Sequence, residues 1–182
     1  FHKHKKFIDE DFERIDVGCF FYNDGEVCWI PGNYYIFLQH YLLPEDGVYP
    51  NLRMPQRDYF IFKEACDADR RCVGDLLLKS RRSAYTVGAT SDLLRDAIRY
   101  KNSYFPIMAD ILDHAKKIFQ NYIIKPLISY PKHLQPMRSG NTNPLSEVRF
   151  EAIKRKLTTN SKVSTEADGL NTHIHTTATT LN

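Results

Sequence analysis

An α/β fold with a parallel sheet is predicted by three features of this 182-residue sequence. An apolar run, Val73–Leu78, passes into a basic loop at 79–86, and then into a segment from Val87 to Tyr100 with Ala89, Leu93, Leu94, Ala97 and Ile98 at helical spacing. A second apolar run, Tyr104–Ala109, leads into a second helical segment, Ile111–Ile128. Strand, loop, helix, strand and helix in that order imply parallel pairing, because each helix carries the chain back across the sheet. Upstream, Asn23-Asp24-Gly25 stands between Val17–Tyr22 and Glu26–Ile30, which predicts a β-hairpin ahead of the α/β part.

The remaining elements follow from local chemistry. Phe7, Ile8 and Phe12 predict a short helix over 7–14. Pro31-Gly32-Asn33 predicts a turn, and Tyr34–Leu43 is aromatic-rich without a clear period. A helix is expected from about Gln56 to Asp69, with Phe60, Phe62, Ala65 and Cys66 among its apolar positions. The segment 129–144 holds Pro131, Pro136 and Pro144 and reads as a linker. Val148–Leu157 and Lys162–Thr165 alternate as the arms of a polar hairpin turning near Thr158-Thr159-Asn160. Two regions result, an extension over 1–55 and an α/β domain over 56–182. The chain begins on Phe1 and ends in a Thr-rich stretch, so a piece of a longer protein is expected.

Composition narrows the classes. Residues are 42% apolar and 26% charged, which excludes disordered, collagen-like and coiled-coil chains. No apolar run approaches the roughly 18 residues of a membrane span, and none follows the basic N-terminus as a secretory signal would require. The net charge of +3 conceals a gradient. Residues 1–69 carry 7 basic and 13 acidic side chains, 70–123 carry 10 and 5, and 124–182 carry 8 and 4. The basic two-thirds suits phosphate and the acidic third does not. Four cysteines without a C-x-x-C pair read as reduced structural thiols, and no metal site is expected in them.

The loop 79–86 carries the chemistry. A loop between a strand and a helix N-terminus offers free backbone N–H groups and the positive end of the helix dipole to an anion. Lys79, Arg81 and Arg82 crowd this loop and Thr86 supplies a hydroxyl at the helix start. Against G-x-x-x-x-G-K-[ST], Lys79 stands at the first glycine, Ala84 at the second and Tyr85 at the lysine.

Lys79-Ser80-Arg81-Arg82-Ser83-Ala84-Tyr85-Thr86 after three leucines resembles the deviant Walker A motif of tailed-phage terminase large subunits, the ATPase motors of DNA packaging. In some of these the lysine lies at the front of the loop and an aromatic residue takes its usual place. Asp24-Gly25-Glu26, the stretch from Trp29 to Tyr35, the stretch from Arg53 to Phe60, Ala109-Asp110 and Gly169-Leu170-Asn171 are similar to the same family in order, covering most of residues 15–175.

The resemblance implies a truncated core of the P-loop NTPase type behind a β-hairpin/helix extension, with ATP and Mg²⁺ as cofactors. Lys79, with Ser80, Ser83, Ala84 and Tyr85 around it, would bind the phosphates. Thr86 would ligate Mg²⁺, Arg81 or Arg82 would act on the γ-phosphate, and Gln56 or Tyr59 would contact adenine. Implied partners are double-stranded DNA, a portal protein and a small terminase subunit, in a homo-oligomeric ring in the host cytoplasm, with no membrane. Such a motor needs an apolar strand ending in Asp-Glu to hold the Mg²⁺ shell and activate water. The sequence holds no such run, so this chain is expected to bind nucleotide without turning it over, and the nuclease part of such a protein is not in it. Two other classes stay open: another P-loop DNA translocase, and a non-catalytic nucleic-acid-binding module using the basic loop with Arg149, Lys154, Arg155 and Lys156.

Overall fold

The computed structural model describes residues 2–78, 85–100, 103–109, 111–141, 143–150, 155–160, 171–172 and 175–176. Helix α1 (His2–Val17) precedes a hairpin of β1 (Cys19–Asn23) and β2 (Glu26–Ile30). Helices α2 (Gly32–Gln39), α3 (Met54–Ala68) and α4 (Tyr85–Arg99) follow. Strand β3 (Ser103–Met108) leads into a helical run made of α5 (Leu112–Ile118), a π-helical segment (Phe119–Ile124) and α6 (Lys125–Ser129). A 3₁₀ turn (Lys132–Leu134) and strands β4 (Arg138–Ser139), β5 (Glu147–Phe150), β6 (Arg155–Asn160), β7 (Asn171–Thr172) and β8 (His175–Thr176) complete the described elements.

The hairpin closes through a two-residue turn. Asn23 pairs with Glu26, and Asp24 and Gly25 take positive φ of 49° and 85°, the primed geometry that matches strand twist. That register sets Phe21 opposite Cys28 and Cys19 opposite Ile30, so the two cysteines do not face each other; all four cysteines are free. The larger sheet is mixed. Strand β3 runs parallel to β6, from Tyr104↔Lys156 to Met108↔Asn160, and parallel to β7 and β8, whereas β4–β5 and β5–β6 are antiparallel.

Four expectations are corrected. Pro31-Gly32-Asn33 is the start of α2 rather than a turn, with the Pro31 carbonyl accepting from the N–H groups of Tyr34 and Tyr35. Gly32 is required there because a Cβ would lie 2.0 Å from the Ile15 carbonyl oxygen, where α1 crosses. The polar hairpin turns between Phe150 and Arg155, not near residue 159, since Thr158 lies inside β6 opposite Glu147; its expected second arm at 162–165 lies outside the described residues. Phe62, expected on the apolar face of α3, is exposed because that helix turns Gln56, Tyr59, Phe60 and Lys63 inward. Finally, Val73–Leu78 is not a buried strand. It pairs with no strand among the described residues, and Leu76 and Leu78 are 87% and 89% exposed. An apolar run states a preference for burial but does not supply a partner strand, and β3 is bordered by β6 on one side and by β7 and β8 as well.

The core is aromatic. Tyr34 of α2 stacks on Phe60 of α3 with centroids 5.0 Å apart and planes at 22°, and Phe37 lies 5.3 Å from Phe60 and 5.7 Å from Tyr41. Pro126 has no N–H to give the carbonyl four residues back, which loosens the helical run into its π segment. The Tyr122 carbonyl so released accepts the Tyr41 hydroxyl at 2.7 Å.

Two polar networks bind the helices. Asp11 of α1, almost fully buried, accepts from the Tyr35 hydroxyl at 2.7 Å, from His40 Nε2 at 3.1 Å and from His133 Nε2 at 2.7 Å. Burial would raise its pKa, but these three bonds outweigh it and hold the carboxyl below the usual range. On α4, the buried Arg95 guanidinium donates Nε and Nη2 to the Ile15 carbonyl at 3.3 Å and pairs with Glu64 of α3 at 2.8 Å. Asp96 and Asp92 lie 3.7 and 4.0 Å from its Nη1. Burial, opposed by Lys63 and Arg95, pushes Asp92 up to about 6. Burial and the Asp92 charge push Asp96 well above the carboxylate range.

Two outcomes follow for urea unfolding. Arg95→Ala leaves buried acids and the Ile15 carbonyl without their partner and is expected to cost roughly 3–5 kcal/mol. Asp96→Asn removes a carboxyl whose charged form burial and Asp92 disfavour, and is expected to cost less than Arg95→Ala. Equal losses in the two variants would contradict this account. The His40 imidazole is held below the ordinary 6.5, chiefly by burial, with Asp11 opposing. The unfolded chain therefore takes up a proton at higher pH than the folded chain. The contribution of neutral His40 is complete above 6.5 and is lost as pH falls through the lower folded value. His40→Gln should flatten the stability–pH curve in that window.

Candidate functional site

Of the predicted site residues, Gln56, Tyr59, Tyr85 and Thr86 fall within the described residues. Lys79, Ser80, Arg81, Arg82, Ser83 and Ala84 lie outside the described residues, while Tyr85 and Thr86 form the first turn of α4. The positive dipole end of this fifteen-residue helix lies at this point.

The first turn of α3 packs against it. Pro55 stands among the first residues of α3, where its missing N–H costs nothing, and its carbonyl accepts the Tyr85 hydroxyl at 3.4 Å. The Tyr85 ring meets Tyr59 edge-on, with centroids 5.4 Å apart and planes at 74°, and Tyr59 in turn lies edge-on to Phe60 at 5.3 Å. The aromatic core of α2 and α3 is thus continuous with the start of α4. Gln56, one turn before Phe60, is buried, and its Oε1 has no hydrogen-bond partner. Of the expected nucleotide residues within the described part, Tyr59 and Tyr85 are in ring contact, and Gln56 lies in the turn of α3 whose Pro55 carbonyl takes the Tyr85 hydroxyl. Thr86 stands next to them in sequence, half-buried, with its carbonyl accepting the Thr90 hydroxyl at 2.9 Å.

Charge around the cluster is set by α3 and α4. Lys63 donates to Asp75 at 2.9 Å and lies 3.9 Å from Asp67, so the middle of the extended segment that enters loop 79–84 is tied to α3. Burial opposes the Lys63 charge, but Asp75, Asp92 and Asp67 outweigh it and hold the ammonium protonated. Burial, aided by Asp92 and Asp75, keeps the Tyr59 phenol neutral, so Tyr59 offers a ring face and a proton rather than a base. Sequence reading missed Lys63, Asp92, Arg95 and Asp96. The available signal was the spacing Asp92, Arg95, Asp96, which puts three ionisable groups on one face of a helix whose neighbours Leu93, Leu94 and Ala97 are core.

Gln56, in the first turn of α3, carries an amide oxygen that no group of the protein takes, and the start of α4 has the electrostatics that favour an anion. Among the described residues no group of three or more His, Cys, Asp and Glu is arranged to hold a metal ion, and no helix is long and apolar enough to cross a membrane. No protein-family model matches the chain, and no curated protein matches it.

Gly88 lies inside α4, under the tyrosine cluster. An added Cβ would sit 3.5 Å from Phe60 Cζ and 3.5 Å from Tyr59 Cε1, ordinary contact distances. Gly88→Ala should therefore stabilise the chain by about 0.5–1 kcal/mol through helix propensity. A lower melting temperature would mean that the tyrosine cluster packs more tightly on α4 than these distances state.

Proposed function

We propose that this chain is the ATP-binding portion of a DNA-packaging motor of the tailed-phage large-terminase type. The observation that carries the reading is the packing of Tyr85, in the first turn of α4, on Tyr59 and on the Pro55 carbonyl of α3, beside which Gln56 follows in sequence. In this proposal Gln56 Oε1 accepts from the exocyclic amine of adenine and the tyrosine rings line the base. Lys79 neutralises the β- and γ-phosphates, with Ser80, Ser83 and Ala84 contributing backbone around them. Arg81 or Arg82 pairs with the γ-phosphate through its planar fork. Thr86 would hold Mg²⁺, which would supply positive charge against the phosphates.

The whole protein would work as a ring on a portal protein with a small terminase subunit, moving double-stranded DNA in the host cytoplasm. Its core would be of the P-loop NTPase type. This chain, having no apolar strand that ends in Asp-Glu, binds Mg²⁺-ATP but does not turn it over.

Titration of a fluorescent ATP analogue into the full chain with Mg²⁺ tests the reading. Saturable binding is expected, lost on Lys79→Ala by a factor of about 10–100, the loss of one charge-assisted contact or more. Gln56→Met should raise the melting temperature of the free chain, since a buried unpartnered oxygen is removed, while reducing the preference for ATP over GTP. Salt-dependent DNA binding with no response to nucleotide would sink the proposal in favour of a plain nucleic-acid-binding module. Mg²⁺-dependent hydrolysis abolished by Lys79→Ala would overturn the non-hydrolytic part of it.

A further inference from the structure

A second feature shaped for an anion lies in another part of the chain. Between the 3₁₀ turn and β4 is a cavity of about 290 Å³ lined by Lys132, Gln135, Pro136, Arg138, Gly140 and Asn141. Among the described residues that line it there are two cations and no carboxylate. Its volume is at the small end of ligand clefts, which run from roughly 300 Å³ upward, and suits a small anion or the end group of a larger molecule.

The backbone that carries these cations is fixed from both sides. Gln135 Nε2 donates to the carbonyls of Ile128 at 2.9 Å and Tyr130 at 2.6 Å, and Leu134 beside it is fully buried. Arg138 pairs with Phe150, itself a core residue. Nη1 of Arg138 is shielded from solvent and has no hydrogen-bond partner. The nearby Arg149 differs, because its Nε is bonded to Glu147. A charged N–H that is neither hydrated nor bonded is disfavoured unless an acceptor arrives. Gly140 at the rim has a φ of +87°, and a Cβ built there would meet nothing within 4 Å, so the approach is open.

We propose that this cavity is an oxyanion site that takes a phosphate group, with Arg138 as the anchoring fork and Lys132 as the second charge. The guanidinium offers two parallel N–H donors that match two phosphate oxygens, and a doubly charged phosphate matches the two cations better than a single carboxylate does. The site uses residues 132–141, none of which belongs to loop 79–86. It therefore stands or falls independently of the nucleotide reading. The phosphate comes either from a small molecule or from a nucleic-acid backbone, which present the same oxygens.

The test is a titration of inorganic pyrophosphate into the ¹⁵N-labelled full chain carrying Lys79→Ala, which removes the lysine of the loop. Shifts are expected at the Gly140 amide and the Arg138 side chain. The Gly140 shift should be lost in Arg138→Gln, and the affinity read from both shifts should fall about tenfold in Lys132→Gln, an exposed position. A DNA duplex that displaces pyrophosphate, with a salt slope about one unit smaller in Arg138→Gln, identifies the backbone as the source. Failure of the duplex to displace it identifies a small phosphate compound. The proposal is overturned if pyrophosphate moves neither resonance, if chloride at the same ionic strength moves them equally, or if Lys132→Gln, folded as wild type, binds with unchanged affinity.

Discussion

A guanidinium without access to water sits in the middle of α4, and the placement of three helices depends on it. Arg95 takes the Ile15 carbonyl near the end of α1 and the Glu64 carboxylate of α3, so α1, α3 and α4 share one set of donors. Burying that charge is costly, and the cost is recovered only while each partner stays in place. Asp92 and Asp96 add a surplus of acid beside it, which the interior resolves by pushing both carboxyls toward their neutral forms. The result is a helix whose inward face is part core and part ionic, with little freedom to rotate or slide.

That constraint matters at the other end of α4. Its first turn carries Tyr85, and the aromatic chain from Tyr34 through Phe60 and Tyr59 reaches Tyr85 without a gap. Because α2 is held by Gly32 against α1, and α3 is held to α2 by the stacked rings and by Asn33 donating to the Phe60 carbonyl at 3.2 Å, the start of α4 inherits a fixed position. Gln56 is buried at this junction with an oxygen that the protein itself does not satisfy.

The entry to loop 79–84 is arranged differently. Its apolar approach, Val73–Leu78, is exposed, and Asp75 within it is bonded to Lys63 of α3. A second departure from regularity, the π segment at Phe119–Ile124, has a covalent cause in Pro126, and the carbonyl released there is taken by Tyr41 from the opposite side of the core. At the π segment a side-chain hydroxyl takes a backbone carbonyl, whereas at the exposed segment a side-chain ion pair ties Asp75 to Lys63 of α3.

The sequence by itself determined most of the local elements. The Asp-Gly turn, the helices α3 and α4, and the strand β3 are written in turn chemistry and period, which depend on neighbours a few residues away. The candidate residues Gln56, Tyr59 and Tyr85 were likewise legible as residue types in a suggestive order. What only the tertiary structure decided was partnership. Whether Val73–Leu78 has a neighbouring strand, where the β5–β6 pair turns, whether Pro31-Gly32-Asn33 starts a helix, and that Arg95, Asp92 and Asp96 face inward all depend on groups distant in the chain. Burial and pairing are set by which surfaces meet, and a one-dimensional pattern records the preference of a segment without recording what stands opposite it.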